Sequence, residues 1–214
     1  MTPDFAAAVD PVFLHVLGVL ERISRNETVS PQEERASVQN WLRNAEAQLG
    51  QRQEWQLAKY ALVAWIDDML IEAPWDGAAW WKENALEVEV FNTRERATQF
   101  FLKAQDATKT PRRDALEVFY VCVVLGFRGL YRDRQAAFLA TQLKLPADLE
   151  AWARQTAQAI QLGHGRPPIR EQPRPPNAAP PLEGKFLLLG STVTCIVLSV
   201  FAGLLYWLLF SPTP

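Results

Sequence analysis

The chain has 214 residues, with 22 basic and 24 acidic side chains and a formal net charge of -2. This balance excludes a typical nucleic-acid-binding protein, which presents an excess of Lys and Arg to the phosphate backbone. The hydrophobic content of 49% excludes a fully disordered chain, and two cysteines and two histidines exclude a disulfide framework and a His-rich metal site. We therefore expect no nucleic-acid partner and no cofactor.

Caps and hydrophobic periodicity predict an all-α domain over residues 1–162. Helix starts are indicated where a capping residue or a turn precedes a proline or an acidic residue. These starts are Asp10-Pro11, Ser30-Pro31, Thr110-Pro111 and either Leu145-Pro146 or Asp148. Periodicity alone predicts helices over 54–72, 93–107 and 133–144, which makes about seven or eight helices in all. Because 54–72 is apolar on nearly every side, we predict that it is the central helix.

Two short stretches carry weaker signals. Residues 86–90 (LEVEV) alternate apolar and acidic residues, which is typical of a half-buried strand. No partner strand is predicted elsewhere, so we predict a helix there. Residues 126–129 (GFRG) do not match a phosphate-binding glycine motif and predict a helix end followed by a turn.

The C-terminal part of the chain changes composition twice. Residues 163–185 contain seven of the 15 prolines, which predicts a semi-rigid linker without a core. Residues 186–210 contain no charged residue, and as a helix they would extend roughly 37 Å across a hydrocarbon layer of about 30 Å. We predict a transmembrane helix there, with a short tail over 211–214. Small residues at four-residue spacing indicate a weak surface for self-association: Gly190, Thr194, Ser199 and Gly203.

The charges beside the apolar segment predict its orientation. Arg166, Arg170, Arg174 and Lys185 precede the segment, and no charged residue follows it. The positive-inside rule places the 1–162 domain in the cytoplasm and the tail in the periplasm. No secretory signal is predicted at the start of the chain. We expect a tail-anchored, single-pass protein of the bacterial inner membrane.

Three carboxylates on the central helix are the best candidates for chemistry. Asp67, Asp68 and Glu72 could share a proton or hold a divalent cation. Adjacent helix positions point about 100° apart, however, so Asp67 and Asp68 do not easily serve one site. The alternatives are a cap or backbone contact for one aspartate and an exposed, partner-binding role for the other.

Six of the eight tryptophans lie within 41–81. Helical spacing assigns three of them to the core: Trp41, Trp55 and Trp65. Three others flank a predicted helix break at a proline and lie near acidic residues: Trp75, Trp80 and Trp81. Clustered aromatic residues beside acids suit an interface anchor, and a loop pinned onto the core explains them equally well.

Two long motifs match the sequence pattern of a known protein family. Residues 60–68 (YALVAWIDD), followed by Pro74-Trp75, match a Tyr-Ala-Leu…Ile-Asp-Glu…Pro-Trp-Gly pattern, with Asp68 for the Glu and Asp76 for the Gly. Residues 117–132 (EVFYVCVVLGFRGLYR) match Tyr-Leu-Cys-Leu…Leu-Gly-Phe-x-Gly-x-Tyr-Arg. Asn92 keeps the family spacing to a Phe-Phe pair, whereas residues 96–98 (RAT) depart from a family Gly-Gly-Glu. The chain thus resembles the DotU/TssL (IcmH-like) family of inner-membrane components of type VI and type IVB secretion systems.

The resemblance implies a hook-like cytoplasmic domain of two small helical bundles, one C-terminal transmembrane helix, and no enzymatic activity. It implies a scaffold subunit with two partners, an IcmF/TssM-like large inner-membrane subunit and a TssK-like baseplate component. Some relatives carry a peptidoglycan-binding domain after the span, and none is expected here. Positions matching the motifs are expected to be structural or partner-binding: Asp67, Asp68, Pro74, Asn92, Gly126, Phe127, Gly129, Tyr131 and Arg132.

Acidic residues outnumber basic ones in 1–162, which favours a partner with a basic patch. The candidate partner-binding residues are Trp75, Asp76, Trp80, Trp81, Glu83, Glu87 and Glu89. A homodimer is also expected. The alternative function is a membrane-tethered, metal-dependent or carboxylate-using enzyme built on Asp67, Asp68 and Glu72.

Overall fold

The structure is a computed structural model that describes residues 1–133, 136–163 and 185–210, the last stretch with side chains over 190–205. The chain divides into two units, Met1–Pro167 and Pro168–Pro214. All regular structure in the described residues is helical, which confirms the all-α class. The hook-like arrangement of two bundles stays a prediction.

Nine α-helices and one 3-10 turn make up the described part of the first unit. The α-helices are α1 (Pro3–Ser24), α2 (Pro31–Leu49), α3 (Gln53–Glu72), α4 (Ala78–Glu83), α5 (Leu86–Phe91), α6 (Arg96–Ala107), α7 (Asp114–Val124), α8 (Ala136–Gln142) and α9 (Leu149–Gly163). The 3-10 turn, Gly129–Arg132, lies between α7 and α8. Helix α5 confirms the helical prediction for 86–90.

Helix α3 is the centre of this unit, as its apolar composition predicts. It packs against α1, α2, α4, α5, α6 and α7. Over 55–68 every side chain of α3 is buried except those at positions 56 and 59, which are partly buried. A helix surrounded in this way has no face left for solvated charges, so its two aspartates must find partners inside the protein.

Three predicted helix starts are wrong. Helix α1 begins at Pro3 and runs through Pro11, because Phe5 and Val9 lie on the same buried face as the residues after the proline. Helix α6 begins at Arg96 rather than at 93. Helix α7 begins at Asp114, because the Thr110 hydroxyl instead donates to the Ala107 carbonyl and ends the preceding helix.

Other boundaries follow the predicted caps. The Ser30 hydroxyl accepts the Glu33 amide at 3.5 Å at the start of α2, and Asp148 accepts the Ala151 amide at 2.7 Å at the start of α9. After α7 the Phe127 amide donates to the Cys122 carbonyl at 3.0 Å, with Gly126 at φ +108°. This is a glycine-terminated helix end, so the predicted stop over 126–129 is confirmed.

Among the described residues, α1 is the one helix whose length and apolar composition would allow it to cross a membrane. Eight of its side chains are buried in the domain, including Val12, Val16 and Val19. Its apolar character is therefore accounted for by packing against α2 and α3.

In the second unit, Lys185–Phe210 forms the helix α10. Its described side chains are exposed, and the Thr194 hydroxyl donates to the Gly190 carbonyl at 2.8 Å. A hydroxyl satisfied within its own helix costs little in an apolar medium. Residues 164–184 of the predicted linker and the predicted tail over 211–214 lie outside the described residues.

Candidate partner interface

Asp67 organises the junction between α3 and α5 from below the protein surface. Its carboxylate is fully buried and accepts hydrogen bonds from the Trp81 indole at 2.9 Å, the Leu86 amide at 3.0 Å and the Glu87 amide at 2.8 Å. The last two are free amides of the first turn of α5, so Asp67 caps that helix from another element. Burial raises the pKa of Asp67, and the three hydrogen bonds oppose this shift.

Asp68 points to a different partner. Arg132 bonds its carboxylate at 2.9 Å and also pairs with Glu72 one turn later on α3. Asp68 is 6% exposed and Asp67 is fully buried, so neither aspartate is the exposed, partner-binding acid that was one of the alternatives. Burial raises the pKa of Asp68, and the Arg132 charge opposes this shift.

The two aspartates therefore do not form one site. One faces α4 and α5, and the other faces the turn that carries Arg132. Among the described residues there is no cluster of three or more His, Cys, Asp or Glu side chains that could hold a metal ion. Each carboxylate joins two segments that are distant in sequence, which is a structural role.

The tryptophans divide between core and surface. Trp55 and Trp65 are fully buried, as predicted, but Trp41 is 38% exposed because it lies to one side of the buried face of α2. Trp81 is also fully buried, because its indole is bound to Asp67, so the free chain does not offer it as an interface anchor.

Trp75 and Trp80 are half-buried on either side of Trp81. Their ring centroids lie 6.5 Å and 6.4 Å from the Trp81 ring. The Trp75 indole donates to the Leu70 carbonyl at 2.7 Å, and its ring covers Gly77 so closely that no larger residue fits there. Both rings pack against the core and remain partly exposed.

We call the exposed and half-buried side chains Trp75, Asp76, Trp80 and Glu83 the α4 surface. Asp76 and Glu83 are exposed and form no ion pair with the described residues. Beside the α4 surface, Pro74, Trp75 and Asp76 line a cavity of about 230 Å³ together with the turn over 26–29. The α4 surface thus combines two half-buried tryptophans, two acids that form no ion pair with the described residues, and a neighbouring cavity, with the exposed Lys82 beside Glu83.

Glu87 does not belong to the α4 surface, contrary to the sequence-based assignment. It is fully buried and accepts hydrogen bonds from the Tyr60 hydroxyl at 3.0 Å, the Thr93 hydroxyl at 2.8 Å and the Glu95 amide at 3.0 Å. Burial and the neighbouring Glu87 carboxylate raise the pKa of Tyr60. Because residues two positions apart on a helix point to nearly opposite sides, α5 places Glu87 inside and Glu89 outside.

Glu89 is exposed but not free. It pairs with Arg35 and accepts from the Gln39 side chain at 2.9 Å, which ties α5 to α2. Its charge is partly compensated, so it offers a partner less than Asp76 or Glu83 does.

Residues of the second motif (117–132) position Arg132, which binds Asp68 of the first motif. Phe127 is fully buried and stacks on Phe100 at 3.9 Å, and the Tyr131 hydroxyl donates to the Pro146 carbonyl at 2.7 Å. Gly129 has φ +48°, and a Cβ there would lie 2.8 Å from the Ala97 carbonyl oxygen. These contacts aim the following Arg132 at Asp68.

Two other motif residues have backbone roles. Asn92 adopts φ +52° in the left-handed region and ends α5. Pro74 is exposed and follows Ala73, whose extended backbone ends α3. The departure over 96–98 has a visible consequence, because the Arg96 guanidinium lies 3.9 Å from the buried Glu87 carboxylate.

Sequence reasoning missed two buried acids that organise the fold. Glu34 pairs with Arg22 and lies 3.1 Å from the Nε2 atom of His15, and Asp114 accepts the Thr2 amide at 2.6 Å. The signal was present, because Glu34 lies one helical turn before the buried Val38 and Asp114 one turn before the buried Val118. An acid on an apolar stripe predicts a buried, partnered carboxylate.

Comparison with known proteins places this arrangement in a family. The model of the family described as "Type VI secretion system protein DotU" matches residues 4–211. The chain belongs to the DotU family. A solved structure, the cytoplasmic domain of TssL from Acinetobacter baumannii, superposes with a TM-score of 0.60 at 21% identity, covering 76% of this chain and 99% of that chain. No curated protein matches the chain.

Family membership makes the chain a subunit of the type VI secretion membrane complex, and the DotU/TssL family is an inner-membrane, structural component of that system. Membership also implies association with other type VI secretion subunits. The likeness to the TssL cytoplasmic domain establishes the helical fold of the first unit.

Proposed function

We propose that this DotU-family chain is a non-enzymatic scaffold, anchored in the inner membrane by residues 186–210, whose cytoplasmic helical domain recruits the baseplate through the α4 surface. The observation that carries the proposal is the contrast between the acids of this region. Asp67, Asp68 and Glu87 are buried and bonded to other parts of the fold. Asp76 and Glu83 are exposed and form no ion pair with the described residues.

Several features support docking at the α4 surface. Trp75 and Trp80 are pre-ordered by packing on Trp81, so little side-chain entropy is lost when a partner covers them. Aromatic edges beside carboxylates suit a partner that offers an apolar pocket rimmed by Lys or Arg. We assign this partner to the TssK-like baseplate component and expect the IcmF/TssM-like subunit to bind elsewhere on the chain.

The anchoring proposal rests on the charge-free segment and its flanks. Arginines and a lysine precede residues 186–210, so the helical domain is proposed to lie in the cytoplasm and the C-terminus in the periplasm. The small residues Gly190, Thr194, Ser199 and Gly203 are proposed to form a homodimer contact of α10. The Thr194 hydroxyl donates to the Gly190 carbonyl, so Thr194 needs no hydrogen-bond partner on a second helix.

The test is a mild-detergent pull-down of the tagged full chain from its native membranes, with mass spectrometry of the bound proteins. A variant carrying Asp76→Lys and Glu83→Lys is compared with a control carrying Asp10→Lys and Glu150→Lys, which makes the same charge change at exposed acids on α1 and α9. We expect the first variant to lose the baseplate subunit about tenfold or more while keeping the large membrane subunit.

The control variant is expected to recover both subunits, and both variants should keep the helicity and the melting temperature of the parent chain. Unchanged recovery of the baseplate subunit by the first variant would contradict docking at the α4 surface. Recovery of the chain alone, even after crosslinking, would contradict the scaffold role itself.

A further inference from the structure

A basic corner lies where the chain leaves the helical domain. Helix α9 ends at Gly163, whose backbone packs directly against the Arg113 side chain and leaves no room for a Cβ. The preceding Leu162 is 82% exposed. Lys109 and Arg112 are exposed on the turn that carries Arg113. The exit point of the domain therefore combines an unburied apolar side chain with several cations.

A cavity extends this corner on the side of the α2–α3 turn. It has a volume of about 390 Å³ and is lined by Arg52 and Arg112, together with Thr2, Asp4, Phe5, Ala7, Gln48 and Leu49. Arg52 and Arg112 are both exposed and form no ion pair with the described residues. Their two guanidinium groups border one concave surface.

We define the basic corner as Arg52, Lys109, Arg112 and Arg113 with Leu162. Its acidic neighbours include Asp4, which lines the same cavity, Asp106, which pairs with Lys109 at 2.8 Å, and the buried Asp114, which accepts the amide of the cavity-lining Thr2 at 2.6 Å. Arg113 donates to the Thr110 carbonyl at 2.8 Å, so its charge is held at the corner by the fold. The two arginines of the cavity, Arg52 and Arg112, pair with none of these acids.

We propose that the basic corner docks the helical domain on the anionic phospholipid headgroups of the membrane. This inference rests on the proposed anchoring of residues 186–210. Guanidinium groups bind phosphate oxygens in a bidentate manner, and clustered Lys and Arg beside an apolar side chain are typical of surfaces that contact anionic lipid.

The position of the corner in the chain selects a lipid surface as the occupant. The corner includes the last described turn of the domain, and 22 residues separate Gly163 from the charge-free segment. The intervening sequence carries further arginines at 166, 170 and 174. Because the chain continues from this corner into the proposed membrane-spanning segment, we take lipid headgroups as the occupant of the corner.

The experiment uses the full chain in vesicles of phosphatidylcholine with or without phosphatidylglycerol. A fluorophore is attached through Gln161→Cys beside Leu162, or through Gln32→Cys at the far end of α2, in a Cys195→Ala background. Gln32 and Gln48 lie roughly 24 Å apart along α2, so the second label reports a surface remote from the corner. Quenching by lipid that carries a quencher on its headgroup is then measured.

We expect the Gln161→Cys label to be quenched more strongly when phosphatidylglycerol is present, and added salt to reverse the effect. Arg52→Glu with Arg112→Glu should remove this extra quenching, with headgroup binding weakened about fivefold or more for each arginine replaced. The matched control, Arg43→Glu with Arg94→Glu, changes the same charge at other exposed positions and should keep it.

Equal quenching of the two labels, or equal loss in both charge-reversed variants, would overturn the docking of this corner. An alkaline wash of the vesicles separates this inference from the proposed function. A chain that washes off contradicts the anchoring by residues 186–210, whereas a retained chain without selective quenching contradicts the basic corner alone.

Discussion

The Asp67 carboxylate accepts the indole N–H of Trp81 at 2.9 Å, which joins a candidate catalytic residue to a candidate interface residue inside the core. The same carboxylate accepts two amides of α5. Both side chains are fully buried at this bond, so neither is exposed to a substrate or a partner in the free chain. Trp75 and Trp80 both contact the Trp81 ring, so Asp67 holds these half-buried side chains in place through Trp81.

Asp67→Ala is expected to destabilise the chain by about 3 kcal/mol or more, because it leaves three buried N–H donors without an acceptor. Asp67→Asn should cost less, since its one oxygen can still accept the Trp81 and Leu86 N–H groups and only the Glu87 amide loses its acceptor. Urea unfolding of the full chain in detergent, followed by circular dichroism, measures both changes. Equal stability of Asp67→Ala and the parent chain would contradict the capping role.

Arg132→Ala is expected to cost about 3 kcal/mol, because it leaves the nearly buried Asp68 charge without its partner. The matched control is Arg154→Ala, which removes an exposed pair with Glu150 one turn earlier on α9 and should cost no more than about 0.5 kcal/mol. Denaturant midpoints of the two variants give the comparison. Similar small losses in both would show that the pair with Asp68 is not needed for stability.

Gly129→Ala and Gly18→Ala are expected to change stability in opposite directions. At Gly129 the left-handed backbone and the Ala97 carbonyl oppose a Cβ, which we expect to cost about 2 kcal/mol. Gly18 is helical with open space around it, so alanine should stabilise the chain by about 0.5–1 kcal/mol. Melting temperatures test this pair, and a loss at Gly18 would show that its small size is needed by a contact.

Glu46 should contribute stability that depends on pH. The hydrogen bond from Lys59 at 2.7 Å holds the pKa of Glu46 below its ordinary value of 4.5. The unfolded chain therefore binds the proton more tightly, so the contribution is present above pH 4.5 and is lost as the pH falls through the folded pKa. Unfolding free energies of the parent and Glu46→Gln should converge in acid. Lys59→Met should weaken the same pH dependence, and an unchanged profile in either variant would contradict the pairing.

The local sequence determined most of the helices. The Ser30 and Asp148 caps, the glycine at the end of α7 and the apolar surface of α3 act through neighbouring residues, so their signals can be read along the chain. The two long motifs also identified the family before any contact was known. The wrong start of α1 has a physical cause, because burial of Phe5 and Val9 outweighs the hydrogen bond lost at Pro11.

Only the tertiary structure decided the roles of the polar residues. Whether an acid is a ligand, a cap or a docking contact depends on donors far away in sequence, as Asp67 with Glu87 and Asp68 with Arg132 show. The same holds for Glu87, which is buried, and Glu89 two residues later, which is exposed. Local sequence sets which backbone segments become helical, but the desolvation of a charge is decided by what packs over it.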